Sequence, residues 1–430
     1  MMEPIEPTAS CVRSLKVSES FAGRALACLA LCGLLQGPLL LAQDWPHWLG
    51  PGRNATVSGF LAPAQWPASL TQQWRRTVGL GESTPALEGN RLYAFTRQED
   101  EEVILSLNTR DGSELWRYSY PAIAVTGPAK PYPGPRSSPA VADGKLIALG
   151  VGGVLTCLDA DSGRLIWKRD DLTNDIPRFF NSASPLVVEG LCVVYLGGVD
   201  KGCLHAVGLN DGKSRWQWEG EPPSYSSAVP LTLGVSTQVV LLTEKNLRGI
   251  SLTDGKPLWR IPTPLNPGYW NSATPMVDGP RVYYSGQGTG TRAVNVENPD
   301  QTGTPRQIWH NAQVGTVYNT PILHEDLLFG ISDRGRFFCL EALTGKTVWV
   351  RTNRVSNFGT VLKAGGVLVG LPEHSDLVFF KPSRQGYEEL AHYRVSDTPL
   401  YSFPLLSGNK IFIRDRDSIT LWTMDRKVPE

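Results

Sequence analysis

Aromatic side chains next to Asn or Ser recur along the chain, each shortly before a dipeptide that ends in Pro. Phe180, Tyr225 and Trp270 each precede such a Pro by five residues. Aromatic rings commonly anchor binding surfaces, and a few polar groups beside them orient the ligand. The pattern therefore predicts a polar and aromatic funnel that grips a ligand or peptide. Its candidate residues are Arg136, Arg178, Phe180, Asn181, Tyr225, Tyr269, Trp270, Asn271, Tyr318, Asn319, Phe358 and Tyr401.

These positions have a second interpretation. Positions that recur in a repeat protein often serve packing between neighbouring repeats. The same side chains could therefore fill the interior and bind nothing, and the sequence leaves both interpretations open.

Signals for catalysis and for metal binding are weak. The six His residues stand far apart, without the spacing of a metal site. No Gly-x-Ser-x-Gly motif occurs in the sequence. The glycines of segment 286–290 follow a strand pattern and open no helix, which is typical of a hairpin turn and not of a dinucleotide loop. The sequence predicts no catalytic residue and no metal ligand.

The elements that position the funnel belong to a repeat. A Gly followed four residues later by Trp marks most units, and successive Trp residues stand 40 to 51 residues apart. Each unit contains short alternating runs separated by Gly turns, which is typical of a four-stranded propeller blade. In a propeller, the loops before the innermost strands surround the mouth of the central channel. We interpret the repeated indoles as structural residues of the blades: Trp74, Trp116, Trp167, Trp216, Trp259, Trp309 and Trp349.

The repeat count predicts an all-β, eight-bladed β-propeller of four-stranded antiparallel blades. The seventh unit has Tyr393 in place of Trp, and the eighth has only three strand patterns. A strand pattern around Trp74 precedes the first unit. We predict that this N-terminal strand completes the last blade, because closing the ring removes an exposed sheet edge.

Composition excludes several other classes of protein. The 430 residues include 43 Gly and 33 Pro, too many for a protein of long helices. The 41 basic residues balance 41 acidic ones. A neutral chain is an unfavourable partner for nucleic acid or for an anionic membrane surface, so neither is predicted.

The N-terminal segment is predicted to be a secretory signal peptide. Three basic residues precede the uncharged run 25–42, which ends in the small residue Ala42. Cleavage between Ala42 and Gln43 would give a periplasmic or secreted protein. The predicted organisation is a signal peptide over 1–42, an N-terminal extension over 43–69 and the propeller over 70–430. An uncleaved or lipidated N-terminus is the alternative. Membrane association is expected only through such an N-terminus or through a partner protein.

The repeat resembles a known family. Segment 153–167 reads Gly-x-Leu-x-x-Leu-Asp-Ala-x-x-Gly-x-x-x-Trp, and this pattern resembles the PQQ-like propeller repeat of quinoprotein alcohol dehydrogenases and of BamB-like proteins. The segment 44–53 resembles the start of exported PQQ-like propellers of planctomycete-type bacteria. The resemblance implies a propeller and leaves the activity open. Quinoprotein dehydrogenases carry an adjacent Cys-Cys pair, and this sequence has none. No cofactor is therefore expected, with PQQ as the alternative.

The sequence favours a binding or assembly scaffold of the cell envelope without catalysis of its own. Its expected partner is an envelope protein or peptide, and the chain is expected to be a monomer. Two alternatives remain. One is a PQQ-dependent quinoprotein oxidoreductase, and the other is a carbohydrate-binding surface protein.

Overall fold

The computed structural model describes residues 43–297, 304–356 and 359–424. The predicted signal peptide and the funnel candidate Phe358 lie outside the described residues. Within these three ranges, no helix has the length and apolar character needed to span a membrane.

Tight turns bound the short alternating runs and so make them strands. In the second repeat unit, Asp143 and Gly144 have φ of +50° and +68°, the conformation of a two-residue hairpin turn. This turn joins Ala140–Ala142 to Lys145–Leu149 in antiparallel register. Leu155–Asp159 and Leu165–Arg169 then add in sequence to complete a four-stranded sheet.

The described residues form eight four-stranded units arranged as a propeller ring, which confirms the predicted fold. Blades 1 to 7 contain their strands in chain order from the channel outward. A 3-10 helix spans Gly127–Ala129 between blades 1 and 2. The strands are β1 Thr56–Val57; β2 Thr71–Thr77; blade 1, β3 Ala86–Glu88, β4 Arg91–Gln98, β5 Glu101–Asn108 and β6 Glu114–Pro121; blade 2, β7 Ala140–Ala142, β8 Lys145–Leu149, β9 Leu155–Asp159 and β10 Leu165–Arg169; blade 3, β11 Leu186–Val188, β12 Leu191–Gly197, β13 Gly202–Gly208 and β14 Ser214–Gly220; blade 4, β15 Val229–Leu233, β16 Ser236–Leu242, β17 Asn246–Ser251 and β18 Pro257–Pro262; blade 5, β19 Met276–Asp278, β20 Arg281–Gly286, β21 Gly290–Asn295 and β22 Arg306–Asn311; blade 6, β23 Ile322–His324, β24 Leu327–Ile331, β25 Phe337–Glu341 and β26 Thr347–Val350; blade 7, β27 Gly359–Ala364, β28 Val367–Pro372, β29 Asp376–Phe380 and β30 Glu389–Arg394; and blade 8, β31 Leu405–Ser407, β32 Lys410–Arg414 and β33 Ser418–Thr423 with β2.

The core lies between the blades. The middle strands are buried on both faces, as in β4, where every residue between the two terminal ones is buried. The outer strand β6 instead alternates between exposed residues and partly or fully buried ones. One apolar cluster joins Ile147 and Cys157 of blade 2 to Cys192 and Val194 of blade 3. Neighbouring sheets therefore pack face to face around the ring.

Strand β2 closes the ring by pairing with the last strand of the chain, as predicted. It lies antiparallel to β33, with Thr71 opposite Thr423 and Thr77 opposite Ser418. Arg75 forms an ion pair with Asp415 at 2.8 Å, although the two residues are 340 positions apart. The last blade therefore contains strands from both ends of the described chain.

Most repeat indoles bind the following blade. Trp116 Nε1 donates to the Ala160 carbonyl at 3.1 Å, in the turn between the last two strands of blade 2. A β-carbon added to Gly163 of that turn would lie 2.5 Å from the Trp116 ring, so only Gly leaves room for the indole. Trp259 differs, since it donates to Gln238 Oε1 of its own blade. The other indoles donate from Trp74 to Thr109, Trp167 to Leu209, Trp216 to Leu252, Trp309 to Ala342 and Trp349 to Ser383 carbonyls.

Trp74 of blade 8 makes the same kind of contact with blade 1, at the seam where the ring closes. A substitution at this position therefore tests ring closure. We expect Trp74→Ala to cost about 2 kcal/mol of unfolding free energy, because a half-buried indole leaves a gap beside Gly112. Trp116→Ala is the matched comparison at an internal blade junction. Chemical denaturation should give similar losses for both variants. A negligible loss for Trp74→Ala alone would contradict a structural role for the seam contact.

Hydroxyl groups of the Pro dipeptides link the inner ends of the blades. Thr84 N donates to Ser138 Oγ at 3.1 Å, and Ser138 N donates to Ser184 Oγ at 2.9 Å. In blade 4 the hydroxyl comes from Ser227, two residues before the Val-Pro pair that marks the repeat in the sequence. Phe403 N of blade 8 donates to Thr84 Oγ1, so this chain of bonds also crosses the seam.

The N-terminal segment from Asp44 to β1 crosses the innermost strand of several blades. It does so near the C-terminal ends of these strands, away from the loops that lead into them. Trp45 N donates to the Leu87 carbonyl of blade 1 at 2.8 Å, and the Pro46 carbonyl accepts from Val141 N of blade 2. Strand β1 pairs in parallel with β27 of blade 7. Arg53 Nη2 also donates to the Val187 carbonyl of blade 3 at 3.1 Å, so the segment contacts blades 3 and 7, which lie opposite each other in a ring of eight.

Candidate ligand-binding site

The loops before the innermost strands enclose a cavity of about 450 Å³ at the centre of the ring, here called the central cavity. Its wall includes residues from most of the blades, and these loops place them there because each loop leads directly into an inner strand. Five predicted funnel residues line it. They are Arg136, Tyr225, Trp270, Tyr318 and Tyr401.

Three aromatic rings from successive loops form a cluster in this wall. The Phe179 ring meets Trp270 edge to face, with centroids 4.8 Å apart, and meets Tyr225 at 5.5 Å. The Tyr225 hydroxyl accepts a hydrogen bond from Phe179 N at 3.3 Å. The Arg178 guanidinium lies 5.8 Å from the Trp270 ring centroid. These contacts fix the rings in place before any ligand arrives, which lowers the entropy cost of binding.

A tyrosine pair lines the opposite part of the wall. Tyr132 and Tyr401 pack edge to face with centroids 5.4 Å apart, and their hydroxyl oxygens lie 3.1 Å from each other. Tyr132 comes from the long loop after blade 1, in which the 3-10 helix also contributes Pro128 and Ala129 to the cavity. The loop therefore narrows the cavity from one side.

Glu82 and Arg136 bring opposite charges to the wall. Arg136 donates to the Phe179 carbonyl at 2.7 Å and to the Tyr132 carbonyl at 2.6 Å, so its guanidinium fastens two loops together. Burial lowers the pKa of Arg136. Burial also raises the pKa of Glu82 to about 7, although three arginines nearby oppose this shift. A carboxyl with such a pKa changes charge near neutral pH.

Trp48 reaches the central cavity from the N-terminal segment. Its Nε1 donates to Thr274 Oγ1 of blade 5 at 3.0 Å, and its ring packs against Phe403 of blade 8. The neighbouring His47 is largely buried, and this burial lowers its pKa to about 3, so its imidazole stays neutral at pH 7. Segment 44–53 therefore contributes to the site, a role for which the sequence alone gave no signal.

A second and larger cavity, about 640 Å³, lies beside the first and is here called the outer groove. Tyr225 and Trp270 line both, so the two cavities share a wall. Arg178 and Tyr269 line the groove, as does Val199, whose side chain is 65% exposed. Six of the other thirteen lining residues are prolines, and five of these lie in the loops before blades 3, 4 and 5.

Four funnel candidates turn away from both cavities. Phe180 has a φ of +64° and is buried against Val125, Ala129 and Val151, while its neighbour Phe179 lines the central cavity in its place. The three candidate asparagines are buried and bind the backbone. Their Nδ2 groups donate from Asn181 to the Val151 carbonyl, from Asn271 to the Thr243 carbonyl and from Asn319 to the Ile331 carbonyl.

Comparisons with known proteins agree with this architecture. The model of a family described as outer membrane protein assembly factor BamB matches residues 64–229 and 99–351. The BamB of Shewanella oneidensis is 24% identical over 294 residues, which is 64% of this chain and 72% of that protein. The crystal structure of BamB from Moraxella catarrhalis superposes with a TM-score of 0.63 at 15% identity and covers 82% of this chain and 99% of that one.

Enzymes with the same repeat are also similar. The quinohemoprotein alcohol dehydrogenase ADH IIB of Pseudomonas putida is 26% identical over 192 residues. The match covers 42% of this chain and only 27% of that enzyme. The similarity to the enzyme is therefore limited to part of its length.

Proposed function

We propose that this chain, which belongs to the family of the outer membrane protein assembly factor BamB, is a scaffold of the cell envelope that holds a segment of a partner protein on its loop face. The outer groove and the central cavity carry this proposal, because Tyr225 and Trp270 stand between them and line both. A partner segment that lies in the groove can place one side chain in the cavity. Aromatic residues at the centre of such a surface usually contribute most of the binding energy.

The composition of the groove supports an extended peptide as the occupant. Its prolines and the exposed Val199 offer apolar contact, while Arg178, Lys245 and Glu244 stand at polar positions. Rigid prolines lose little entropy on binding. Both charge signs are present in the groove, which favours a partner segment of mixed charge.

The alternative is a quinoprotein oxidoreductase, and its cofactor fits these residues poorly. PQQ carries carboxylates, but the guanidinium of Arg136 already donates to carbonyl groups. Across the described ranges, no three His, Cys, Asp or Glu side chains converge as metal ligands, and the four cysteines there are unpaired. These observations support a scaffold over an oxidoreductase. Carbohydrate binding remains an alternative for the same aromatic wall.

Photo-crosslinking at two exposed valines tests the scaffold. Val199 lies in the groove, whereas Val235 lies in the hairpin turn between β15 and β16, at the other end of blade 4 from the groove. A photo-reactive amino acid at position 199 is expected to capture a discrete envelope protein, and the same residue at position 235 is not.

The same experiment tests whether Trp270 anchors the partner segment. Trp270→Ala should lower the adduct yield at position 199 about tenfold or more, as expected for a central aromatic anchor. Val235→Ala is the control and should leave that yield unchanged. Equal adducts from positions 199 and 235, or an unchanged yield in Trp270→Ala, would overturn the proposal.

A further inference from the structure

A third and smaller cavity lies at the seam where blade 8 meets blade 1. It has a volume of about 240 Å³ and is here called the seam pocket. Glu82, Tyr132 and Tyr401 line it and also line the central cavity, so the tyrosine pair stands between the two. Arg414 lines the seam pocket from blade 8.

Arg414 brings a buried and incompletely bonded cation to this pocket. Only 2% of the residue is exposed. Its Nε donates to the Gly81 carbonyl at 2.8 Å, whereas its Nη1 has no hydrogen-bond partner among the described residues. Burial lowers the pKa of Arg414 to about 10, so the guanidinium is still charged at neutral pH. A buried charged donor without an acceptor is costly, so this group favours an acceptor from outside the chain.

Glu82 contributes a carboxyl group whose hydrogen bonding is also incomplete. Its Oε2 is buried without a hydrogen-bond partner, and within the described ranges the residue forms no ion pair. Arg136, Arg414 and Arg416 act on Glu82 electrostatically, yet burial is the larger influence. Glu82 and Arg414 therefore both line the seam pocket, and each has one buried side-chain polar atom without a hydrogen-bond partner.

We propose that the seam pocket binds a free α-amino acid in its zwitterionic form. The ligand carboxylate accepts from Arg414 Nη1, and the ligand ammonium donates to Glu82 Oε2. A zwitterion is the simplest ligand that satisfies both groups, since a lone amine leaves Arg414 unpaired and a lone carboxylate leaves Glu82 unpaired. The rings of Tyr132 and Tyr401 add favourable contact for the ammonium.

The wall that the seam pocket shares with the central cavity indicates which ligand side chains the seam pocket accepts. Glu82 and the tyrosine pair border both cavities, so a ligand held at Glu82 can extend its side chain past the tyrosines into the central cavity. The aromatic wall there favours an apolar or aromatic side chain. L-Phenylalanine is therefore expected to bind more tightly than glycine.

Isothermal titration calorimetry at pH 8 on the chain from residue 43 tests this assignment, because Glu82 is mostly ionised there. Glycine and L-phenylalanine are the probes, and 2-phenylethylamine and 3-phenylpropionate are matched analogues that each lack one charge. Both amino acids should bind, and each analogue should bind at least tenfold more weakly than L-phenylalanine. Glu82→Gln, which keeps the shape of the side chain, should weaken L-phenylalanine binding at least tenfold.

Glu219→Gln is the control, since this exposed carboxylate of β14 lines none of the three cavities. It should leave binding of L-phenylalanine unchanged. Equal binding of an analogue, undiminished binding in Glu82→Gln, or no binding at millimolar concentrations would each overturn the proposal. Because the probes are small molecules, the result does not depend on whether the loop face captures a partner protein.

Discussion

Gly163→Ala is expected to lower the unfolding free energy by about 3 kcal/mol, although it adds a single methyl group. Gly163 has a φ of +71°, a conformation that costs an L-residue about 1 kcal/mol. The added carbon would also lie 2.5 Å from the Trp116 ring, so the indole or the turn must shift. Overpacking of this kind adds about 2 kcal/mol. The denaturant midpoint of the variant measures the sum.

Gly144→Ala separates the two contributions. Gly144 has nearly the same φ, +68°, but a β-carbon added there meets no atom within 4 Å. Its cost should therefore be the conformational one alone, about 1 kcal/mol. If Gly163→Ala and Gly144→Ala were equally stable, the tight packing of Trp116 on the neighbouring blade would be refuted.

Glu82→Gln is expected to stabilise the protein at pH 8 and to have little effect at pH 4. The pKa of Glu82 is raised from 4.5 to about 7 in the folded protein, so the fold binds this proton more tightly than the unfolded chain does. The contribution is fully present below pH 4.5 and is lost as the pH rises through 7. The shift corresponds to at most about 3 kcal/mol, since part of the residue keeps contact with solvent.

Unfolding free energies of the wild type and of Glu82→Gln between pH 4 and pH 9 measure this effect. The two curves should separate above pH 5 and run parallel above pH 8. Glu219→Gln is again the control, because Glu219 is exposed and no buried oxygen of this residue lacks a partner. A constant difference between wild type and Glu82→Gln over the whole pH range would show that Glu82 does not titrate as the buried carboxyl described here.

The repeat pattern was sufficient to predict the blades because their signals are local. The sequence predicts four short strands in each unit, and blade 2 has them at Ala140–Ala142, Lys145–Leu149, Leu155–Asp159 and Leu165–Arg169. Turn glycines and strand alternation act within a few residues, so spacing alone locates them. The closing strand around Trp74 was also recognisable, because the last repeat lacked one strand and the first repeat was preceded by one.

The binding site was less predictable because it depends on which way adjacent side chains turn. Phe179 and Phe180 are neighbours, and a positive φ at Phe180 decides which ring faces the cavity. Spacing from the next Pro cannot reveal that angle. Trp48 lies outside the repeat and reaches the central cavity beside Thr274 of blade 5. Glu82 lies in the loop before β3 but does not match the aromatic pattern of the other loops. The asparagines were recognised as recurrent, but their amides satisfy loop carbonyls and not a ligand.

Closure by β2 also sets an order of events during folding. The partner of β2 is β33, the last strand described, so blade 8 cannot be completed until nearly the whole chain is present. Pairings between such distant segments form slowly. In the interval β2 has no strand partner, which exposes it to other chains. A nascent molecule of this protein therefore needs either fast completion or a protective partner for its N-terminal strand, and any factor that binds segment 71–77 would delay maturation without contacting the finished ring.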